Sequence, residues 1–178
     1  YSGLLMASKG VHRLLEAAAM LQGEGQALEL LIAGKVFSAD YGQALKSFCT
    51  QQGMEGRVRW LGFVEPDQLS GFYQQLDVLV FPSIYPESFG MVVAEAMAHG
   101  VVPISTGVGG AIEVITHGRN GLLVPPDDAG SIATALRQCA QLPRHGLRQL
   151  AARAQRDARR AFNNANCTRP LAQWLARR

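Results

Sequence analysis

The sequence lacks the features that define several large classes of protein. No apolar run approaches the ~20 residues that a transmembrane helix needs. The 3 cysteines, Cys49, Cys139 and Cys167, are odd in number and do not have the spacing of metal ligands. They are therefore predicted to be buried or free thiols in a reducing compartment, which favours a cytoplasmic protein over a disulfide-stabilised secreted one.

Two short motifs are also missing. A dinucleotide-dependent oxidoreductase would need a Gly-x-Gly-x-x-Gly turn after the first strand, and the stretch from Gly3 to Gly10 does not supply one. No Asp-x-Asp pair is present either. Asp127 and Asp128 directly precede a predicted helix, which is typical of a helix cap rather than a metal site. The residues therefore give no indication of a bound metal ion.

The composition is that of a folded domain. Of the 178 residues, 48% are hydrophobic and 17% are charged, which argues against disorder. This length suits one domain with a substantial core. Tyr1 to Leu5 already resemble a strand, with no initiator Met and no signal peptide, so we expect residues 1–178 to be one domain of a longer protein.

Acidic residues are scarce at one end of the chain. Residues 1–128 carry 7 Lys or Arg against 13 Asp or Glu, whereas residues 129–178 carry 10 Arg and a single acid, Asp157. One interpretation is solvated helix faces that also dock onto an acidic domain of the same protein. The other is attraction to an anionic membrane surface or an acidic glycan acceptor. Nucleic acid is disfavoured because no aromatic residues interleave with the arginines.

Hydrophobic periodicity alternates between strand and helix along the chain. Strands are predicted at 4–7, 28–33, 58–64, 77–81, 101–105 and 122–124, and helices at 11–21, 41–52, 66–76, 91–99, 131–141, 147–161 and 170–177. Such alternation predicts an α/β fold, a Rossmann-like doubly wound parallel sheet with helices on both faces. Ligands bind such sheets beyond the carboxyl ends of the strands.

The segment from Glu87 to Glu95 is the most informative one. It places Glu87 in a strand-to-helix loop and Glu95 inside the following helix, roughly 10–12 Å away at ~1.5 Å per helical residue. Between them, main-chain amides near Phe89 and Gly90 open a helix N-terminus, which attracts anions. The order carboxylate, anion site, carboxylate matches the sugar, diphosphate and ribose of a nucleotide sugar.

Several motifs together resemble a known family. They are Lys9-Gly10, Leu31–Gly34, Leu61–Val64, Phe72-Tyr73, Asp77–Ser83, the paired glutamates, Glu95–Gly100, Gly109-Gly110 with Glu113, and Gly121–Pro125. In order and spacing they resemble the C-terminal, donor-binding half of a GT-B-fold, family-4-type retaining glycosyltransferase. The resemblance covers essentially the whole chain, and it implies an N-terminal acceptor domain outside it.

The resemblance implies a role for each site residue. Lys9 contacts the donor diphosphate, and Glu87 is the catalytic residue that holds the transferred sugar. Glu95 accepts hydrogen bonds from the ribose hydroxyls. Hexosyl transfer is implied to be retaining and metal-independent, with a UDP-, GDP- or ADP-sugar as donor and no further cofactor. The implied donor-binding residues are Lys9, Ser88, Phe89, Gly90, Glu95 and Val64, the last at the turn near the base.

One position departs from the family pattern. Members usually carry Arg where this chain has Leu4, and a guanidinium can grip a diphosphate in two places. Either another cation substitutes, such as Lys35 or one from the N-terminal half, or donor binding is weak. The alternatives to a transferase are a non-catalytic nucleotide-sugar-binding or scaffolding module of the same fold, or a nucleotide-sugar epimerase of related architecture.

Overall fold

The structure, a computed structural model, describes residues 1–86 and 90–162 of the chain. Strands and helices alternate along it, as the periodicity predicts. The helices are α1 Val11–Gly23, α2 Ala39–Gln51, α3 Leu69–Tyr73, α4 Met91–Ala98, α5 Ala111–Val114, α6 Ala129–Gln141 and α7 Arg144–Ala161. The strands are β1 Leu30–Ala33, β2 Val58–Gly62, β3 Val78–Phe81, β4 Val102–Ser105 and β5 Leu122–Leu123.

The strands form two parallel sheets, one of two strands and one of three. β1 pairs with β2, from Leu30 opposite Val58 to Ala33 opposite Gly62. In the other sheet β4 lies between β3 and β5. Because parallel neighbours cannot be joined by tight turns, a crossover must connect them, and the helices supply it. The predicted α/β class with parallel strands is confirmed.

The prediction of a strand at residues 4–7 is wrong. Ala7–Lys9 instead form a single 3₁₀ turn. The residues before it meet β1 and its following loop only through isolated bridges, Ser2 with Ala33 and Leu5 with Val36. Between the bridges Gly3 has a φ of 146°, and the carbonyl of residue 4 accepts from the amide of residue 6 at 3.1 Å. These local turns interrupt the pleat, so the segment forms no continuous strand.

A cleft of about 550 Å³ lies between the two sheets, at the edge where the strands begin. Tyr1, Leu30 and Leu31 line one side of it, and Asp77 and Val78 line the other. Tyr1 is 5% exposed, and its α-amino group donates to the main-chain oxygen of Leu31 at 2.9 Å. Burial lowers the pKa of this amine from 8.0 to about 5, because the charged form has left water.

Helices cover the strands on both faces. α1 and α6 pack together over the main core, which includes Leu15, Ile32 and Ile132. α4 and α7 pack together over a second cluster that contains Phe81 and Met97. Each such side chain stabilises the fold by about 1.5–3 kcal/mol when fully buried. The core therefore fixes the strands, and with them the loops at the strand ends.

Two helix boundaries differ from the sequence prediction. α7 begins at Arg144 rather than residue 147, directly after Pro143, whose fixed φ suits the start of a helix. α3 spans only five residues, Leu69–Tyr73, where a longer helix is predicted. The short helix α5, Ala111–Val114, has no counterpart among the predicted helices. The other helices and strands of the described residues lie within a few residues of their predicted positions. The predicted helix at 170–177 lies outside the described residues.

Three loops leave the strands at the same edge. They follow β1 at Gly34, β2 at Phe63 and β3 at Pro82. At Gly34, with a φ of 143°, an added Cβ would lie 1.7 Å from the main-chain oxygen of Gly3, so only glycine lets these segments approach. The close approach brings the start of the chain to the edge where ligands bind in parallel sheets.

Candidate functional site

A cavity of about 370 Å³ opens at the carboxyl edge of the strands. Its lining comes from the first segment, the end of β1 with the loop after it, the turn after β2, the start of α3 and helix α4. Apolar and main-chain groups dominate it. Among the residues described around it, Lys35 carries the one positive charge and Glu95 the one negative charge. A ligand with both an apolar ring and polar groups suits such a lining.

Glu95 is held in place by Tyr73. The half-buried carboxylate lies on α4, and its Oε2 accepts from the Tyr73 hydroxyl at 2.7 Å. Tyr73 is 1% exposed at the end of α3. Burial, and then the bond to Glu95, raise the pKa of the Tyr73 hydroxyl, so this group stays a donor at neutral pH. The structure therefore gives the predicted ribose-binding carboxylate a fixed partner.

Lys35 lies against an aromatic ring. Its ammonium nitrogen is 4.5 Å from the centre of the Phe63 ring, within the range of a cation–π interaction. Val64, the predicted base-site residue, lines the same cavity as these two side chains and Glu95. Leu4, which stands where the family usually has Arg, also lines the cavity and is 38% exposed.

The Lys9 loop is tied to the segment that leads toward Glu87. The amide of Ile84 donates to the main-chain oxygen of Ser8 at 2.8 Å. Next to Lys9, an added Cβ at Gly10 would lie 1.9 Å from the main-chain oxygen of Pro82. Lys9 is half-buried and is not among the residues that line the 370 Å³ cavity. It therefore lies beside the loop after β3 rather than beside Val64.

The predicted anion site is partly described. α4 begins at Met91, and its N-cap Gly90 has the left-handed φ of 72° with no side-chain cap. A helix start of this kind leaves main-chain amides for other acceptors. Glu87, Ser88 and Phe89 lie outside the described residues, so the predicted distance from Glu87 to Glu95 stays a prediction.

Several structural interpretations of individual residues are confirmed. Asp128 caps α6, where its carboxylate accepts from the amide of Ser131 at 3.0 Å. Cys49 and Cys139 are buried free thiols, and Cys167 lies outside the described residues.

Within residues 1–86 and 90–162, no group of three or more His, Cys, Asp or Glu side chains could hold a metal ion. None of the helices described there is long and apolar enough to cross a membrane.

Sequence reasoning missed the part that Tyr73 plays. The residue belongs to one of the family motifs, but it is separated from Glu95 by 22 positions. No local spacing predicts a contact between two helices that far apart in the sequence. The available signal was a tyrosine next to Phe72 in a predicted helix, because a tyrosine that is buried there needs a hydrogen-bond partner for its hydroxyl.

Comparison with known proteins identifies the family. The model of the family "Glycosyl transferases group 1" matches residues 1–160. An uncharacterized glycosyltransferase of Methanocaldococcus jannaschii is 40% identical over 133 residues, which are 75% of this chain and 33% of that protein. The chain thus spans about a third of this relative.

Solved structures have the same fold. HepE of Anabaena, in complex with UDP and glucose, superimposes with a TM-score of 0.87 at 28% identity, over 99% of this chain and 48% of HepE. The C-terminal domain of the group 1 glycosyl transferase LpcC from Francisella tularensis superimposes with a TM-score of 0.80 at 24% identity. That comparison covers 91% of this chain and 83% of the LpcC domain. The resemblance to GT-B glycosyltransferases is confirmed, and the chain belongs to the glycosyl transferases of group 1.

Proposed function

We propose that residues 1–178 are the donor-binding, C-terminal domain of a retaining glycosyltransferase, whose acceptor domain lies in another part of the protein. The domain binds a nucleoside diphosphate sugar, and the protein transfers a hexosyl group to an acceptor without a metal ion or further cofactor. The observation that carries this proposal is the cavity at the carboxyl edge, which is lined both by Val64 and by Glu95, the latter bonded to Tyr73. The UDP in the HepE structure supports a nucleotide as its ligand.

The roles of the residues follow the order of the donor's parts. Glu95 accepts from the ribose hydroxyls, and the base packs near Val64 and the Phe63 ring. Lys9 neutralises diphosphate charge as the glycosidic bond breaks, which lowers the barrier to transfer. Glu87 holds the hydroxyls of the transferred sugar near the reacting carbon. The proposed donor-binding amides are those of Ser88, Phe89 and Gly90.

Calorimetric titration tests donor binding. The chain is titrated with UDP, GDP, ADP and their common sugar conjugates, and one base should bind selectively. Glu95→Ala should weaken that binding by about 10- to 100-fold, since a hydrogen bond to a charged group is lost. Glu29→Ala is the matched control, because Glu29 is exposed and lies at the opposite edge of the strands. No binding by any nucleotide would contradict the proposal, as would equal effects of the two substitutions.

Transfer is tested in the full-length protein. Glu87→Ala should abolish it and leave the fold intact, as circular dichroism would verify. Wild-type rates in this variant would contradict the assignment of Glu87. Product analysis also separates the alternatives: retained anomeric configuration supports the proposed reaction, whereas an epimerised donor formed without an acceptor would indicate a nucleotide-sugar epimerase.

A non-catalytic module of the same fold is the second candidate function. Leu4 favours it, because an exposed leucine cannot replace the paired contacts of an arginine with a diphosphate. Lys35 is the described cation at the cavity that could compensate. Leu4→Arg should tighten UDP binding if the diphosphate lies beside this residue. Nucleotide binding without any transfer in the full-length protein would support the module.

The exposed face of α7 supports a proposed partner, the anionic surface of the cytoplasmic side of a membrane. Arg144, Arg148, Arg156 and Arg159 are exposed on this helix, and its one acid, Asp157, pairs with an arginine of a neighbouring turn at 2.7 Å. Each basic residue near an anionic surface contributes about 1 kcal/mol to binding. Four on one helix are therefore enough for reversible attachment.

Co-sedimentation with lipid vesicles tests this partner. The protein should sediment with vesicles that contain phosphatidylglycerol and stay in solution with pure phosphatidylcholine. The double variant Arg148→Glu, Arg156→Glu should sediment to the same small extent with both kinds of vesicle. Equal binding to both vesicles, or to neither, would contradict the proposal. Binding to an acidic polysaccharide but not to vesicles would instead indicate a glycan acceptor at this face.

A further inference from the structure

Tyr73, Glu95 and His99 form a cluster where α3 meets the end of α4. The Tyr73 hydroxyl donates to Glu95 Oε2 at 2.7 Å. The His99 ring stacks on the Tyr73 ring, with centroids 5.1 Å apart and an angle of 25° between the planes. His99 Nδ1 also lies 2.8 Å from the main-chain oxygen of Glu95. Glu95 is thus restrained through both its side chain and its backbone.

Tyr73 has little freedom to leave this position. Its ring is 1% exposed, and the Phe72 ring contacts it edge-on with centroids 5.3 Å apart. A hydroxyl that donates to a carboxylate at this distance makes a charge-assisted bond, which is stronger than a bond between neutral groups. A carboxylate can accept about four hydrogen bonds, so the bond from Tyr73 leaves capacity for a ligand. Glu95 meanwhile lines the 370 Å³ cavity.

We propose that Tyr73 is a positioning residue for donor binding. By occupying Oε2, it fixes the carboxylate in one orientation and leaves Oε1 of Glu95 to accept from vicinal hydroxyls of a ribose. Without this bond the side chain of Glu95 would sample several rotamers, and each binding event would have to select one of them. The inference rests on the proposed function, since it assigns Glu95 to the ribose.

The test compares ligands that differ only in the ribose hydroxyls. UDP, GDP and ADP are titrated into the wild-type chain, each beside its 2′,3′-dideoxy form. The wild type should bind one natural nucleotide about tenfold or more tightly than its dideoxy form, as expected for hydroxyls bound to a charged acceptor. In Tyr73→Phe this ratio should fall severalfold, while the affinity for the dideoxy form stays unchanged. Glu95→Gln should lower the ratio too, and the two substitutions together should be no worse than Glu95→Gln alone.

Tyr41→Phe is the matched control. It also removes one tyrosine hydroxyl, in this case one that lies 2.9 Å from His12 Nδ1 and does not line the cavity. The ratio of the affinities for the natural and the dideoxy nucleotide should be the same in Tyr41→Phe as in the wild type. If Tyr73→Phe does not fold, His99→Ala provides the second variant, because it removes the ring stacked on Tyr73 from an exposed helix end. It should lower the same ratio by a smaller factor.

Each outcome separates the positioning role from the proposed function. No binding of any nucleotide by the wild type would overturn both. Binding with a ratio that Tyr73→Phe leaves unchanged would overturn the role of Tyr73 and leave the donor site standing. Equal losses for the natural and dideoxy forms would indicate a merely structural role and would also overturn the inference.

Discussion

In the isolated chain of residues 1–178, where the nitrogen of Tyr1 is a free amine, acetylation of this amine should stabilise the fold and remove part of its pH dependence. The amine is buried, with a pKa lowered from 8.0 to about 5. The unfolded chain therefore binds a proton between pH 8 and pH 5 that the folded chain does not bind. Stability from this group is complete above pH 8 and is lost as the pH falls toward 5. An acetyl group removes the titration but keeps the N–H that donates to Leu31.

The size of the effect follows from the two pKa values. Lowering the pKa of the amine from 8.0 to about 5 corresponds to a loss of stability of about 4 kcal/mol at a pH well below 5. For a group with these pKa values, the linkage relation gives a loss of folding stability, relative to high pH, of about 1.4 kcal/mol at pH 7 and about 2.7 kcal/mol at pH 6. The cleft of about 550 Å³ beside Tyr1 has room for the acetyl group, so steric strain should not offset the gain.

Urea denaturation of the two chains at several pH values measures this difference directly. The two chains differ only at this amine, so subtracting one free energy of unfolding from the other isolates its contribution. The difference should grow as the pH is lowered from 8 to 5. Parallel curves, with a constant difference at every pH, would refute the reasoning and indicate that the amine keeps its solution pKa in the fold.

Four substitutions should prevent folding or change the free energy of unfolding, each measured in urea. Gly34→Ala should prevent folding, since its Cβ would lie 1.7 Å from a main-chain oxygen, whereas Gly118→Ala, with open space and a φ of 74°, should cost only about 1–2 kcal/mol. Cooperative folding of both alike would contradict this. Asp128→Ala should cost about 1 kcal/mol because α6 loses its cap, and an unchanged midpoint would exclude that contribution. Asn120→Ala should cost about 3 kcal/mol because a side chain only 1% exposed holds three partners, among them Asp157 at 2.8 Å; a cost under about 1 kcal/mol would count against that network.

The sequence could predict the elements whose signals are local. The run at 77–81 is continuous, apolar and followed by Pro82, and β3 occupies Val78–Phe81. Asp128 precedes a periodic run and caps α6. The stretch at 4–7 has an equally apolar pattern, yet it forms no strand. Its conformation depends on Gly3 and on main-chain bonds to the loop after β1, which no periodicity records.

For the candidate site, sequence reasoning could place residues on elements but could not pair them. Glu95 lies inside α4, as its position after a strand and a glycine predicts. Its bond to Tyr73 depends on how α3 and α4 pack together, and helix packing is set by the whole core. The contact of Lys35 with Phe63 likewise joins two loops that meet only because β1 and β2 are neighbours.

The main-chain bond from Ile84 to Ser8 has a consequence for how this edge of the protein can change over generations. Both partners are backbone atoms at a distance of 2.8 Å, so replacing either side chain leaves the bond intact. Selection can therefore vary the side chains offered to a ligand here without shifting the backbone that carries Lys9. Gly10 is the exception, because any Cβ would lie 1.9 Å from the oxygen of Pro82. Side chains around Gly10 can therefore be replaced, whereas a residue with a Cβ at position 10 itself cannot be accommodated without moving the backbone.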